Sequence, residues 1–555
     1  MLGSRRAWLA LVACLFGALT LAATASAGSW KFAPTINAPW AQENDGDILS
    51  SPDLTAVGLC RSTVFNGANP YAPTSNVDAI VGDALNNSGA SNFGCTTPQN
   101  ETTVAVNPND PLNVVAGAND YRICCDFTGL NDGTGWAYVS HDGGHSWANI
   151  LVPGLTNHTG GQGNFKRVDS AGDPALAFGP DGTLYYANIV FSRVSPASGI
   201  AVSVSHDGGL TWSDPNLVGY NDAGNFFNDK EWIAAGPHGS VTVTWTRFSL
   251  GAHGAGYLAS PIVAAFSKDA GKTWNRQGWP VSDGAHPFDQ GSFPQYAADG
   301  TLYVAYEGGS PSSGYAQDQT IVARSTDGGQ SFTNTEVGRV YDDLDCYPIS
   351  GGRQTLSGEH FRLNSYPSFS VDPVTGKLAV VWADNQGSGT CGTGGSSFAG
   401  TTNAKLKLVT SSDGTHFSAV RTLTDGDVVF PAVATRAGTT AVSYYTRAYR
   451  GTHSAATCNW VTGHTPNLPP IPSATSVCLD YAALTSSDNF GAQRRLTTEA
   501  SNPYIQFADG AFIGDYSGIA IGSDGTAWPT WTDFRGNPNA GGKANQDVYT
   551  QPFRP

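Results

Sequence analysis

Ser140-His141-Asp142-Gly143-Gly144-His145-Ser146-Trp147 sets a pattern that recurs along this 555-residue chain. It returns as Ser205-His206-Asp207-Gly208-Gly209-Leu210-Thr211-Trp212 and as Ser267-Lys268-Asp269-Ala270-Gly271-Lys272-Thr273-Trp274. A fourth copy, Ser325 to Phe332, ends in Phe; a fifth, Ser411 to Phe417, is one residue short; Ser486 to Phe490 reads as an eroded sixth. Regular recurrence over several tens of residues is the mark of a repeat architecture. The chemistry of each copy is that of a turn. Gly-Gly supplies backbone angles that a side chain would obstruct. The Asp carboxylate can accept N–H bonds inside the turn, the Ser can add another, and the closing aromatic anchors it from below. An Asp that satisfies its own turn is poorly placed for catalysis, so these residues read as scaffold.

A second repeat accompanies the first. Alternating β-branched and aromatic runs stand at 113–122, 183–193, 240–248, 301–309, 377–385, 439–450 and 526–535, each the return strand of a hairpin. The Ser-x-Asp-x-Gly-x-Ser/Thr-aromatic pattern resembles the Asp box, or BNR repeat, of sialidases and related β-propellers. The resemblance covers roughly residues 99–553. It implies an all-β propeller whose Asp boxes join the two outer strands of each blade. Seven hairpins predict seven blades; six is the alternative if one hairpin belongs to an insertion. The last unit has room for only three strands. Residues 28–60 are therefore expected to supply the missing strand and close the ring, with 61–98 a long surface loop.

Composition agrees with an all-β chain: 40% hydrophobic, 13% charged and 67 Gly. Residues 1–27 read as a signal peptide, with Arg5 and Arg6, an apolar run from Ala7 to Ala23 and Ala25-Ser26-Ala27 before the cleavage point. This predicts a secreted protein whose propeller occupies 99–555, preceded by the closing segment 28–98. Eight cysteines remain after cleavage, at 60, 95, 124, 125, 346, 391, 458 and 478, and an even count in an exported chain implies disulfides. Cys458 and Cys478 flank a Pro-rich insertion and are expected to staple it. The net charge of −16 argues against nucleic acid and anionic membranes as partners. An extracellular glycan or glycoprotein is the expected partner. No spacing suggests zinc.

In a propeller the residues just ahead of each innermost strand converge at one channel mouth. Here they carry Glu101, Asp173, Asp229, Glu231, Asp427 and Asp515, with Tyr366 and Tyr516. The ends of the return strands add Arg122, Arg193, Arg247, Arg447 and Arg535, and Arg362 precedes Tyr366. In the sialidases that the repeats resemble, three arginines clamp the substrate carboxylate, a glutamate-activated tyrosine is the nucleophile and an aspartate is the acid/base. The resemblance implies Arg247, Arg362 and Arg535 as clamp, with Arg122 and Asp229 as further substrate contacts. It implies Tyr516 as nucleophile, Glu231 or Glu101 as its base, and Asp173, beside Asp515, as acid/base.

One departure bears on this. Sialidases carry a Phe/Tyr-Arg-Ile-Pro segment before the first Asp box, whereas this chain has Gln99-Asn100-Glu101-Thr102-Thr103. An acid there would repel a sialic acid carboxylate. Three readings therefore stand: a sialidase-like glycoside hydrolase, a non-catalytic propeller that binds glycans or proteins, and a hydrolase or lyase that uses a carboxylate pair on another polysaccharide. Acids and arginines could also pair across blades with no substrate at all, or several mouth carboxylates could hold a structural Ca2+.

Overall fold

The computed structural model describes residues 76–80, 98–121, 133–251, 257–313, 317–342, 346–350, 353–385, 402–449, 458, 477–503, 512–535 and 546–555. It is a seven-bladed β-propeller of antiparallel sheets. Seven sheets have a four-stranded path, and that of blade 3 gains a short fifth strand, Tyr257–Ala259. The innermost strands, blades 1 to 7 in order, are Gln99–Val106, Ser170–Phe178, Phe226–Ala235, Asp289–Tyr296, Ser368–Val371, Val429–Arg436 and Gly518–Ile521. Each touches the inner strand on either side, and the seventh touches the first, so the ring closes. All seven alternating runs of the sequence are second strands of blades. Trp245, Trp382, Trp531 and Tyr303, which lie within these runs, are buried among the blades.

Blade 7 takes three strands from the C-terminal region and its outermost from the N-terminal segment, where Val77–Asp78 pairs with Tyr549 and Thr550. The closing strand thus lies in the segment expected to be a loop, not in 28–60, which falls outside the described residues. Its neighbour Asn76 is tied in as well: it donates to the Leu496 carbonyl and accepts from Thr498 and Arg535. This arrangement explains six turn motifs for seven blades. The motif joins the third and fourth strands, and in blade 7 those two strands come from opposite regions of the chain.

The turns have the expected chemistry. In the first, Ser146 N and Oγ donate to Asp142 at 2.9 and 2.5 Å, while Gly144 N donates to Ser140 Oγ at 2.8 Å. The same set recurs around Asp207, Asp269 and Asp327. Hydrogen bonds from Thr273, hydroxyl first and then backbone, lower the Asp269 carboxyl to about 2. Trp147 is buried, and Trp212, Trp274 and Phe332 are half-buried.

The second glycine has a further duty, since it touches the preceding blade. A Cβ on Gly209 would stand 2.9 Å from Val139 Cγ2 and 3.2 Å from Val115 Cγ2, and one on Gly144 would stand 2.8 Å from Trp528. The box is therefore also a blade-to-blade contact. The Cys458–Cys478 disulfide forms as expected, with Cα atoms 5.2 Å apart; the insertion between them lies outside the described residues.

Gly209 has φ 105° and a crowded Cβ position, whereas Gly438 has φ 84° with nothing within 4 Å of its Cβ position. Gly438→Ala should cost about 1 kcal/mol from backbone strain alone, and Gly209→Ala about 1–3 kcal/mol more from overpacking. Thermal or urea unfolding of both variants measures the difference; equal losses would show that the blade contact contributes nothing.

Candidate functional site

The site is made by a defect repeated around the channel. In five blades the inner strand slips register near its start, so that two residues oppose one between Asn100 and Thr103, Gly172 and Ala175, Asp229 and Trp232, Gln290 and Phe293, and Val429 and Ala432. The first of the two is Glu101 (φ 58°), Asp173 (φ 52°), Lys230 (φ 51°), Gly291 (φ 66°) or Phe430 (φ 50°). Left-handed backbone at a non-glycine residue costs on the order of 1–3 kcal/mol and gathers where a side chain must be re-aimed. Tyr366 and Tyr516 hold the matching places in blades 5 and 7, two residues before Ser368 and Gly518. At Gly291 a Cβ would run into the Tyr366 ring, so the bare backbone makes room for that ring.

Three of these residues meet. Lys230 Nζ lies 2.8 Å from Glu101 Oε1, 3.1 Å from Asp173 Oδ2 and 2.7 Å from Asp515 Oδ2. Arg362 binds Asp515 through two parallel bonds, Nε to Oδ1 at 2.8 Å and Nη2 to Oδ2 at 2.5 Å. Asn119 orders the acids, donating to Glu101 Oε2 and accepting from the Asp173 backbone N–H, both at 2.7 Å. The cluster is almost dry, with Glu101 0%, Asp173 1%, Asp515 4% and Lys230 7% exposed.

The electrostatics follow from this crowding. Burial works against the Lys230 ammonium, but Asp173, Asp515 and Glu101 more than reverse it and hold it protonated. Burial also opposes the charge on Asp515, yet Arg362 and Lys230 keep it below the usual carboxylate range. Glu101 is pushed well above that range by burial and then by the Asp173 charge. Burial raises Asp173 as well, while its hydrogen bond with Glu101 favours its ionised form. The two acids are thus coupled, and each is harder to ionise than a free carboxyl. Asp229 is raised to about 6, chiefly by burial.

Glu231 differs from all of these. It is 1% exposed, and neither carboxyl oxygen has a hydrogen-bond partner among the described residues. Burial, then the Asp173 charge, raises it well above the usual carboxylate range. It lines a cavity with Lys230, Trp232, Tyr366, Asp515 and Tyr516. Trp232 stacks on Phe293 with ring centroids 4.3 Å apart and meets Tyr516 edge-on at 5.2 Å.

Of the residues named from the sequence, Glu101, Asp173, Asp229, Glu231, Asp515, Arg362 and Tyr516 therefore assemble. The three-arginine clamp does not. Arg247 lies over the Phe226 ring at 4.9 Å, and its Nη1 donates to the Gly278 carbonyl. Arg535 is paired with Asp533 and reaches Asn76 at the ring closure. Arg447 is buried between Glu359 and Asp427. Arg122 lies outside the described residues. The Tyr516 hydroxyl donates to the Pro174 carbonyl at 3.2 Å, and burial followed by the Glu101 charge raises its pKa, so it is a neutral phenol. Lys230 escaped the sequence reading, although it is the only cation among the seven inner-strand starts.

The mouth acids converge on this ammonium where a metal ion was one expectation. Among the described residues, the one group of acids spaced to hold a cation is Glu307, Asp318 and Asp342 in blade 4, with ligand oxygens within 4.8 Å of one another. Such an all-oxygen set suits a hard cation such as Ca2+.

No family model and no curated protein sequence matches the chain. Among solved structures it is similar to a Hadza microbial sialidase, at 14% identity over 81% of this chain and 75% of that one, with a TM-score of 0.41. It is also similar to an α-L-arabinofuranosidase of Fusarium graminearum (14% identity, 68% of this chain and 91% of that one, TM-score 0.38). A polysaccharide lyase, an ulvan lyase, matches at 13% identity over 62% of this chain and 76% of that one, with a TM-score of 0.36. Likeness this distant says nothing about activity.

Lys230→Met would leave three buried acids around an apolar group, and breaking one partner out of a buried ion cluster costs about 3–5 kcal/mol. Acids with raised folded-state pKa destabilise as pH rises past their unfolded values, so protonation should relieve the variant on acidification. The thermal midpoint deficit of Lys230→Met should shrink between pH 7.5 and pH 5. An unchanged deficit would show that the acids are not held together by this charge.

Proposed function

We propose that the protein is an extracellular glycoside hydrolase that works at the channel mouth through carboxyl groups, without an arginine clamp. The observation that carries this is Glu231, a buried acid with no hydrogen-bond partner among the described residues, raised in pKa by burial and by the Asp173 charge, that lines a cavity. Glycoside hydrolysis needs one protonated carboxyl to donate to the leaving oxygen and one carboxylate to act as base or nucleophile. Glu231 takes the first role and Asp173 the second. Glu101 and Asn119 position Asp173, and Lys230 stabilises its charge. Backbone strain at Glu101, Asp173 and Lys230 also supports this reading, because strain of this kind gathers where geometry is held for a task. A sialidase mechanism has weaker support, since Arg247 and Arg535 are engaged elsewhere and Tyr516 is a neutral phenol bonded to a carbonyl. The second reading, a binding propeller, is favoured by one observation: the charges of Lys230, Arg362 and Asp515 are mutually satisfied.

The test is release of reducing ends from a panel of polysaccharides by the purified mature chain. Glu231→Gln should lower turnover at least about 10³-fold at an unchanged thermal midpoint, as loss of a positioned acid does. Turnover should also fall on the alkaline side, as Glu231 loses the proton it donates. Arg247→Ala should stay within about twofold of the unmodified protein. Full activity in Glu231→Gln would sink the assignment, and inactivity of the folded parent on every glycan would leave the binding reading.

A further inference from the structure

We infer that the sugar ring taken at this mouth is uncharged, and that Asp515 is the residue that imposes this choice. The inference rests on the glycan reading above. Recognition of a sugar carboxylate requires free N–H donors, ideally the parallel pair of an arginine fork. Among the described residues the acid cluster holds two cations, Lys230 and Arg362, and both are engaged by its carboxyl groups. An ammonium has three N–H bonds, and Lys230 faces three carboxylates, from Glu101, Asp173 and Asp515. The Arg362 fork is closed on both oxygens of Asp515. Asp515 thus occupies both cations at once, in the place where a substrate carboxylate would bind.

The remaining surroundings point the same way. Asp229 and Glu231 add no positive charge, and an incoming anion would raise the cost of ionising either. The rest of the cavity wall is aromatic or neutral, with Trp232, Phe293, Tyr366, Phe430 and Tyr516. Rings and neutral hydroxyl-bearing groups suit the C–H faces and hydroxyls of an uncharged sugar. A uronate or sialate would have to displace Asp515 from Arg362 and cost that buried acid its bidentate partner.

The test is binding of the full mature chain to immobilised arabino-, xylo- and cello-oligosaccharides, beside oligogalacturonate and sialyllactose. Binding to neutral oligomers with none to the two anionic probes is the expected result. Binding to an anionic probe equal to or stronger than to the neutral ones would overturn the inference while leaving the glycan reading in place. Binding to no probe would overturn both. In Asp515→Asn the Arg362 fork is released, and affinity for oligogalacturonate should rise at least tenfold. A folded Asp515→Asn chain with no such gain would show that Asp515 is not the selector. Should that variant fail to fold, Arg362→Gln serves instead: it should leave the neutral-to-anionic ratio unchanged, and a rise in that ratio would mean that Arg362 was binding anions.

Discussion

Three carboxylates, from blades 1, 2 and 7, converge on one ammonium from blade 3, and the centre of the molecule is organised around that contact. None of the four groups would be stable in this place alone, because a buried charge without a partner costs several kcal/mol. Each therefore depends on the others, and through them four blades depend on one another. Arg362 extends the network to blade 5 by closing on Asp515. The positive φ at Glu101, Asp173 and Lys230 is the backbone cost of the arrangement. Glu101, Asp173 and Lys230 each sit at the register slip of their inner strand.

The fold was largely legible in the sequence. Turn chemistry and strand alternation are local signals, and both repeat often enough to reinforce one another. The closing strand was misplaced because Val77–Asp78 is only two residues long and carries no alternation to read. Residues of the mouth were found because an inner strand's start can be located from its hairpin. Their pairing was not, since one register slip per strand leaves the hydrophobic pattern nearly unchanged. Lys230 was hidden for that reason, flanked by Asp229 and Glu231 in a run that reads as acidic. The arginines failed by a different route. Arg247 shares a strand face with Trp245, two residues earlier, and Trp245 is packed among the blades with its indole N–H on Asn228. The side-chain period of a strand thus turned Arg247 from the channel.

The two repeats divide the labour of the molecule. The outer turns, with their self-satisfied Asp and close-packed Gly, set the spacing between blades and leave no group free for chemistry. The inner bulges vary from blade to blade: acid, acid, lysine, glycine, tyrosine, phenylalanine, tyrosine. Ring symmetry supplies seven equivalent positions, and individuality at those positions makes a site. Glu231 lies one residue beyond the bulge lysine, where blades 1, 2, 4 and 6 carry Thr102, Pro174, Ser292 and Pro431. A carboxyl at that step occurs in blade 3 alone among these five.

The closure of blade 7 has a consequence for how the chain comes to be folded. Asn76 and Gln551, 475 residues apart, are hydrogen-bonded in the finished molecule. Such a contact cannot form until the chain has been made through Gln551, 475 residues beyond its partner. Until then the first and seventh blades both present open strand edges, the kind of surface on which β-proteins aggregate. Loop closure across so much chain is slow and comes late. Tolerance of the early strands for a long wait, rather than the final stability of the ring, would then govern the yield of folded protein.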